Sequence, residues 1–280
     1  MTTNKNLTVV IPTYNSEILV AERVEELQRC GLDRIIVCDD GSTDNTVALL
    51  EQRYGTAVKV LSGTKNVGPG GNRNRSISEI VDGNPDSLTL FIDADCKLIY
   101  EGHLTQLICD AFAEPKVGIV GFGITNKANE PMAWNYGELM HPIHEAADTV
   151  LEAMLKSNQI TEEQFIVGAP QRAASFRLLP EPGIKQVGWV SEACFAVRAS
   201  LFKRLGGFAT SMRYHETHDF SARVHDTGYQ ILFQPTDVVQ HLAYDSRAER
   251  RTEDERAGRL YYYQKHWGMS EKVFKRLFEE

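Results

Sequence analysis

The chain contains no apolar run near the ~18 residues that cross a bilayer, and Met1 to Asn6 is followed by no apolar signal core. It also lacks a basic excess. Thirty Lys and Arg stand against 38 Asp and Glu, a net charge of −8, which weighs against the broad cationic face that nucleic acids require. Cysteine is sparse: Cys30, Cys38, Cys96, Cys109 and Cys194 are odd in number and form no CxxC. Buried free thiols in a reducing compartment are expected rather than a disulfide framework. There is no internal repeat and no low-complexity tract. These absences together predict a cytoplasmic globular protein.

What is present centres on Leu88-Thr89-Leu90-Phe91-Ile92-Asp93-Ala94-Asp95-Cys96. The apolar run reads as a buried central strand of an α/β sheet. Its two carboxylates then fall at the carboxyl edge, where such sheets hold ligands. Residues two apart in extended backbone point the same way, so Asp93 and Asp95 can converge on one hard cation, Mg²⁺ or Mn²⁺. Read alone, the pair is equally an acidic turn.

Strand and helix patterns alternate around this stretch. Leu7 to Ile11 is a strand stopped by Pro12, and Val20, Val24 and Leu27 mark a helix closed at Gly31. Ile35 to Val37 is the next strand, followed by a helix capped by Thr43 or Asp44 and running through Arg53. Val58 to Leu61 then precedes a glycine-rich loop and a helix from Arg73 to Val81. Short links between such units predict a mostly parallel sheet with right-handed crossovers. Leu104 to Phe112 reads as helix and Val117 to Phe122 as strand.

The rhythm changes beyond. Ile143, Ala147, Val150 and Met154 form a helical stripe, and Thr161 to Gln164 a capping box. Gly168 to Gly183, with three prolines, reads as a loop over a site. The boundaries expected from this change of rhythm are 1–125 for a first half, 126–245 for a second half of the same domain, and 246–280 for a helical tail. The charge-alternating segment Arg247 to Arg259 reads as a solvated helix, with Glu255 and Arg259 in the favourable i,i+4 order. Val273 to Phe278 is briefly amphipathic; packing on the body is the plainer reading and peripheral membrane contact the alternative.

Two further stretches carry chemistry. Asp39-Asp40-Gly41-Ser42 sets carboxylates at the end of a neighbouring strand, where one can accept a base N–H or ribose hydroxyls; a capped turn is the plain alternative. Asn66-Val67-Gly68-Pro69-Gly70-Gly71-Asn72-Arg73-Asn74 permits close backbone approach at Gly68 and its neighbours, with Arg73 available to a diphosphate. It is neither a Walker loop nor GxGxxG, because Arg73 occupies the last glycine position.

Taken in order, Val10 to Asn15, Cys38 to Asp44, Asn66 to Gly68 with Arg73-Asn74, and Asp93-Ala94-Asp95 resemble the motifs of family 2 glycosyltransferases. The similarity continues through Trp189 to Arg198 and Leu205 to Phe208, and reaches His241. It implies the GT-A fold and a nucleotide-diphospho-sugar donor, with UDP favoured. It further implies that Pro12, Thr13 and Asn15 border the nucleotide, that Asp40 meets the base, and that Arg73 lies near ribose or diphosphate. Asp93 would approach ribose or metal, and Asp95 and His241 would ligate the metal. Inversion at the anomeric carbon is implied too.

An inverting transferase needs a base for the acceptor hydroxyl, and here the sequence departs from the family. Thr217 of Glu216-Thr217-His218-Asp219 stands where the usual aspartate would be. Glu216 is the nearest substitute, Asp219 the second and His218 the third. One of the acids is alternatively structural, as a helix-start carboxylate or as the partner of Arg223, and His218 is alternatively a metal, phosphate or sugar contact. The spacing of His215 and His218 does not fit HExxH. Glu192, in an apolar strand-like setting, needs a partner or a function and is a contact candidate for donor or acceptor sugar. Trp189 can stack on a sugar face. The leading expectation is therefore a metal-dependent transferase acting on an acceptor that the sequence leaves open. A nucleotide-sugar-binding protein without transfer is the alternative that Thr217 favours, and a retaining mechanism is another. A sugar nucleotidyltransferase does not fit Pro12 to Asn15 after the first strand.

Overall fold

A computed structural model describes residues 7–80, 87–100, 102–132, 134–175, 183–242 and 251–279. The N-terminal part alternates strand and helix: Leu7–Thr13 (β1), Glu17–Arg29 (α1), Ile35–Asp39 (β2), Thr46–Tyr54 (α2), Val58–Ser62 (β3), Pro69–Asn74 (α3) and Ile77–Ile80 (α4). Leu88–Ile92 (β4), Cys96–Leu98 (β5), Leu104–Ala111 (α5) and Val117–Thr125 (β6) follow. β1 pairs in parallel with both β2 and β4, and β3 extends the sheet beyond β2.

The remaining elements cover one end of this sheet and complete it. They are Tyr136–Gly137 (β7), Pro142–Lys156 (α6), Glu162–Gly168 (α7), Pro170–Ser175 (α8), Lys185–Val187 (β8), Trp189–Val190 (β9), Cys194–Arg198 (β10) and Ala199–Arg204 (α9). Glu216–Asp226 (α10), Gln230–His241 (β11), Arg251–Trp267 (α11) and Glu271–Phe278 (α12) close the chain. β10 inserts antiparallel between β4 and β6, giving the order β3-β2-β1-β4-β10-β6-β11-β5 with β8 also on β11. β7 and β9 form a separate two-stranded sheet.

The central strands are mostly apolar, with Thr8 and Thr89 also buried, because both faces are covered. With a period of two, Val9, Ile11, Leu90 and Ile92 pack against Val20, Val24 and Leu27 of α1 and Ile108 of α5. Val10 and Phe91 face the other way, onto Phe195, Phe202, Phe208 and Phe220. The Phe91 and Phe195 rings stack at 5.0 Å and Phe208 meets Phe220 at 5.2 Å. Truncating such a ring costs about 3–5 kcal/mol, so this aromatic layer firmly anchors α10 beneath the sheet edge.

Several sequence expectations are corrected. β1 runs through Pro12 to Thr13: Pro12 lies at the sheet rim, beyond Val10, the last β1 residue paired with β4. Asn45 holds the N-cap position of α2 without a side-chain cap bond, and of the two expected caps it is Asp44 whose carboxylate accepts a first-turn N–H, that of Thr46, at 3.1 Å. The expected helix from Arg73 begins four residues earlier: Pro69 occupies the first turn of α3, where its missing N–H costs nothing. Val81 lies outside the described residues. The expected loop from Gly168 contains α8, with 176–182 outside the described residues. The capping box at Thr161 and Gln164 is present.

The α6 stripe does not face a core: Ile143 and Val150 are 69% and 58% exposed, while Leu151 and Leu155 pack onto Phe165 of α7. α11 is more than a solvated helix. Its Tyr262 and Tyr263 are buried with Phe274 of α12, and Arg259 pairs with Glu145 at 3.0 Å. Phe274 and Phe278 of α12 likewise pack on Tyr263. All five cysteines are free, with Cys38, Cys96 and Cys194 buried. Among the described residues no helix is long and apolar enough to cross a membrane.

Candidate active site

The carboxyl ends of β1, β2 and β4 meet at one rim. Pro12 pairs with Cys38 and Thr13 with Asp39, so the loops after β1 and β2 lie side by side. Asn15 joins them: its N–H donates to Ser42 Oγ and its Oδ1 accepts the Thr43 N–H, each at 2.8 Å. Its φ of +49° is tolerated by asparagine better than by most residues. Asp39 accepts the Gly41 and Ser42 N–H groups, both at 3.1 Å, and the Ser42 hydroxyl. Asp40 turns to the next loop and accepts the N–H groups of Val67 and Gly68, each at 3.0 Å. Gly68 adopts a φ of +88°, which only glycine holds without strain. The buried Thr13 hydroxyl has no hydrogen-bond partner.

Arg73 is the electrostatic centre. It is 1% exposed, and Nη2 contacts Asp93 Oδ1 at 2.6 Å and the Glu192 carbonyl at 3.2 Å. Nη1 lies 3.5 Å from Glu216 Oε1, and the guanidinium stands over Phe208. Burial opposes its charge, but Asp93, Glu216 and Glu192 together hold its pKa above the ordinary value. Burial likewise raises the Asp93 carboxyl to about 6 despite Arg73 beside it. Glu216 is raised further, to about 8, by burial and the neighbouring Glu192, with Arg73 opposing. Arg73, the expected diphosphate contact, is thus also an internal bridge between the end of β4 and α10.

The cation candidates come together through strand pairing. His241 pairs with Cys96 where β11 meets β5, and the Leu242 N–H donates to the Asp95 carbonyl at 2.9 Å. Ligand atoms of Asp95, Cys96 and His241 lie within 4.8 Å of one another, with His241 Nε2 3.9 Å from Asp95 Oδ1. A carboxylate and an imidazole suit Mn²⁺, and carboxylate oxygens suit Mg²⁺. The Cys96 sulfur in the same cluster is a soft donor, less suited to such hard cations than the carboxylate and imidazole beside it. β5, only three residues long, left no recognisable signal in the sequence.

A cavity of about 500 Å³ opens beside this rim, and Asp93, Glu192 and His241 line it together with Trp134, Trp189 and His218. Trp189 and His218 lie ring to ring at 4.3 Å, and burial lowers His218 to about 3. His218 is therefore a neutral ring and far too weak a base at neutral pH. Glu216, 1% exposed, sits behind Arg73 and not in the cavity wall. Asp219 is also removed from it. Its fully buried carboxylate contacts Arg223 at 2.9 Å, Lys265 at 2.5 Å and His266 at 2.9 Å. Burial opposes its charge, yet those hydrogen bonds and the Arg223 charge hold its pKa below the ordinary value. Asp219 ties α10 to α11 and is not presented to a ligand.

Glu192 is different. The Thr217 hydroxyl donates to its Oε2 at 3.1 Å, and the residue is only partly buried. The far wall comes from the region the sequence left unread. There Arg172 pairs with Glu152 at 2.5 Å and stacks over Trp134 at 4.4 Å. Glu145 is taken by Arg259 and Tyr263.

The family model described as Glycosyl transferase family 2 matches residues 8–169. An O-antigen chain rhamnosyltransferase of Salmonella typhimurium is 24% identical over 243 residues, covering 84% of this chain and 66% of its own length. An N-acetylglucosaminyl-diphospho-decaprenol L-rhamnosyltransferase of Mycobacterium tuberculosis is 24% identical over 76% of this chain and 67% of its own. The chain thus spans about two thirds of the length of these curated relatives. Among solved structures, a mannosyltransferase of Pyrobaculum calidifontis in complex with GDP-Man and Mn²⁺ superposes with a TM-score of 0.59 at 16% identity. That match covers 97% of this chain and 67% of the other. The fold is that of the GT-A glycosyltransferases.

Proposed function

Because the chain belongs to glycosyl transferase family 2, we propose that it transfers a sugar from a nucleotide-diphospho-sugar to an acceptor hydroxyl, with inversion at the anomeric carbon. The observation that carries this reading is the convergence of Asp93, Glu192 and His241 on one cavity at the rim where β1, β2 and β4 end. Residues 1–125 supply the donor half, 126–245 the acceptor side and 246–280 a helical tail. Pro12, Thr13 and Asn15 border the nucleotide. Asp40 faces a base with a ring N–H, such as uracil, while its other lone pairs hold Val67 and Gly68. Arg73 keeps Asp93 oriented and lends positive charge to the diphosphate.

Asp95 and His241, with Asp93 adjacent, fit a divalent cation, Mn²⁺ or Mg²⁺. When bound, such an ion neutralises the charge that develops on a departing diphosphate. A saccharide hydroxyl is the acceptor class we infer, since Trp134 and Trp189 line the cavity and aromatic faces accommodate sugar rings. Exposed Trp267, Val273 and Leu277 support peripheral contact with a membrane carrying the acceptor.

The test is twofold. Thermal stabilisation by UDP, GDP and dTDP, with and without Mn²⁺, reads the donor site. Consumption of the matching nucleotide-sugars, rhamnosyl donors included, reads transfer. A second reading, nucleotide-sugar binding without transfer, draws on Thr217 at the expected base position. It prevails if nucleotide and Mn²⁺ stabilise the protein but no donor is consumed.

A further inference from the structure

We propose that the general base of this enzyme is Glu192, with Thr217 as its positioning residue. The inference rests on the transferase reading above. Threonine cannot take a proton from an alcohol at neutral pH, so Thr217 leaves the expected base position without a base. Its hydroxyl, however, donates to Glu192 Oε2 at 3.1 Å. The Glu192 carboxylate therefore lies one hydrogen bond from that position, reaching it from the β9–β10 connection instead of from α10.

Glu138, Asp148 and Glu255 also line the cavity, but the Thr217 hydroxyl donates to Glu192 and not to them; the other competing carboxylates are occupied or withdrawn. Glu216 is buried behind Arg73, Asp219 is enclosed by Arg223, Lys265 and His266, and Asp93 is bound to Arg73. On the far wall Glu145 is taken by Arg259 and Glu152 by Arg172. Glu192 lines the cavity, and among the described residues Thr217 is the side chain that engages its carboxylate. Its backbone is held from both sides of the donor site. Arg73 donates to the Glu192 carbonyl at 3.2 Å, and the Asp93 N–H donates to the Ala193 carbonyl at 3.0 Å. The same strand end that carries the ribose and cation candidates thus fixes the base.

In the step, the acceptor O–H proton passes to the Glu192 carboxylate as the acceptor oxygen forms its bond to C1 of the donor sugar. The C1–O bond to the diphosphate breaks, and its electron pair leaves with the nucleoside diphosphate. The proton is later released to water. No redox change occurs.

The full chain is assayed with UDP-, GDP- and dTDP-sugars and Mn²⁺, using p-nitrophenyl glycosides and water as acceptors. Glu192→Gln keeps the hydrogen bond from Thr217 but cannot take a proton, so kcat should fall by about 10²–10⁴-fold. Stabilisation by UDP, GDP or dTDP with Mn²⁺ should match the wild type. Adding Thr217→Asp to Glu192→Gln returns a carboxylate to the site and should recover at least about tenfold of the loss. Thr217→Val alone should lower kcat while leaving the donor KM unchanged.

Undiminished transfer by Glu192→Gln overturns the proposal. So does a loss accompanied by loss of nucleotide stabilisation, or one that Thr217→Asp does not recover. If Glu192→Gln does not fold, Glu192→Asp keeps the carboxylate and should stay within about tenfold of wild type; a larger drop in a folded Glu192→Asp enzyme is equally fatal. If the wild type consumes no donor, the transferase reading itself falls, which separates that failure from an error over the base.

Discussion

The Asp40 carboxylate accepts the Gly68 N–H at 3.0 Å, joining the end of β2 to the residue that opens α3 across a gap of 28 positions. A hydrogen bond to a charged group contributes about 1.5–3 kcal/mol. Asp40→Ala should lower stability by roughly that amount and weaken binding of a stabilising nucleoside diphosphate about tenfold, the equivalent of ~1.4 kcal/mol. Calorimetric melts with nucleotide titration check both. Unchanged values would mean that the loop holds its shape unaided.

Glu216 should behave as a buried acid with a structural role. Its folded pKa, about 8, lies above its ordinary 4.5. Its contribution to stability is therefore fully present below about pH 4.5 and is lost as the pH rises towards 8. Glu216→Gln does not titrate, so it should gain on the wild type across that window and keep transfer within about tenfold, far above Glu192→Gln. A stability difference that is flat between pH 5 and 8.5 would refute this.

The central strands were legible because Val9 to Ile11, Ile35 to Val37 and Leu88 to Ile92 carry continuous apolar runs that only a sheet covered on both faces requires. Helix α3 was not, because its first turn is Pro69-Gly70-Gly71. Those glycines read as loop, yet a Cβ at Gly70 would come within 3.0 Å of Phe208, and that neighbour is 138 residues away in sequence. The same distance hid the site chemistry. Asp93, Asp95 and Arg73 were visible as residue types. That Arg73 bridges Asp93 to Glu216, and that Thr217 engages Glu192, depends on pairings between β4, β10 and α10 that no local pattern encodes. Asp219 was legible only in part: its partner Arg223 is four residues on in sequence, whereas Lys265 and His266 lie on a helix whose charge pattern suggested solvent.

Those partners make Asp219 a determinant of stability. Asp219→Asn leaves Arg223, Lys265 and His266 without their shared carboxylate and should cost about 3 kcal/mol or more at neutral pH. The folded pKa is depressed, so the carboxylate's contribution is present above its ordinary value of 3.8 and is lost as the pH falls through the folded value. The gap between variant and wild type should narrow below about pH 4. Urea melts at pH 7 and at a series of pH values below about 4 measure it, and a gap that does not shrink as the pH falls through that series contradicts the assignment.

Cation dependence should trace to β5 and β11. Asp95→Asn and His241→Ala should each abolish the extra stabilisation that Mn²⁺ adds to the nucleoside diphosphate, while leaving the stability of the free protein within about 0.5 kcal/mol. EDTA should do the same to the wild type. Retained Mn²⁺ dependence in both variants would move the ion elsewhere.

The antiparallel β10 has a consequence for biogenesis. A chain emerges from the ribosome N-terminus first, so β4 and β6 are complete before Cys194–Arg198 has been made. Each waits with an open edge, and an open edge invites pairing with another chain. The late strand competes with neighbouring molecules for those two edges. Substitutions that weaken β10 should accordingly appear first as reduced soluble yield, with the surviving molecules retaining full specific activity.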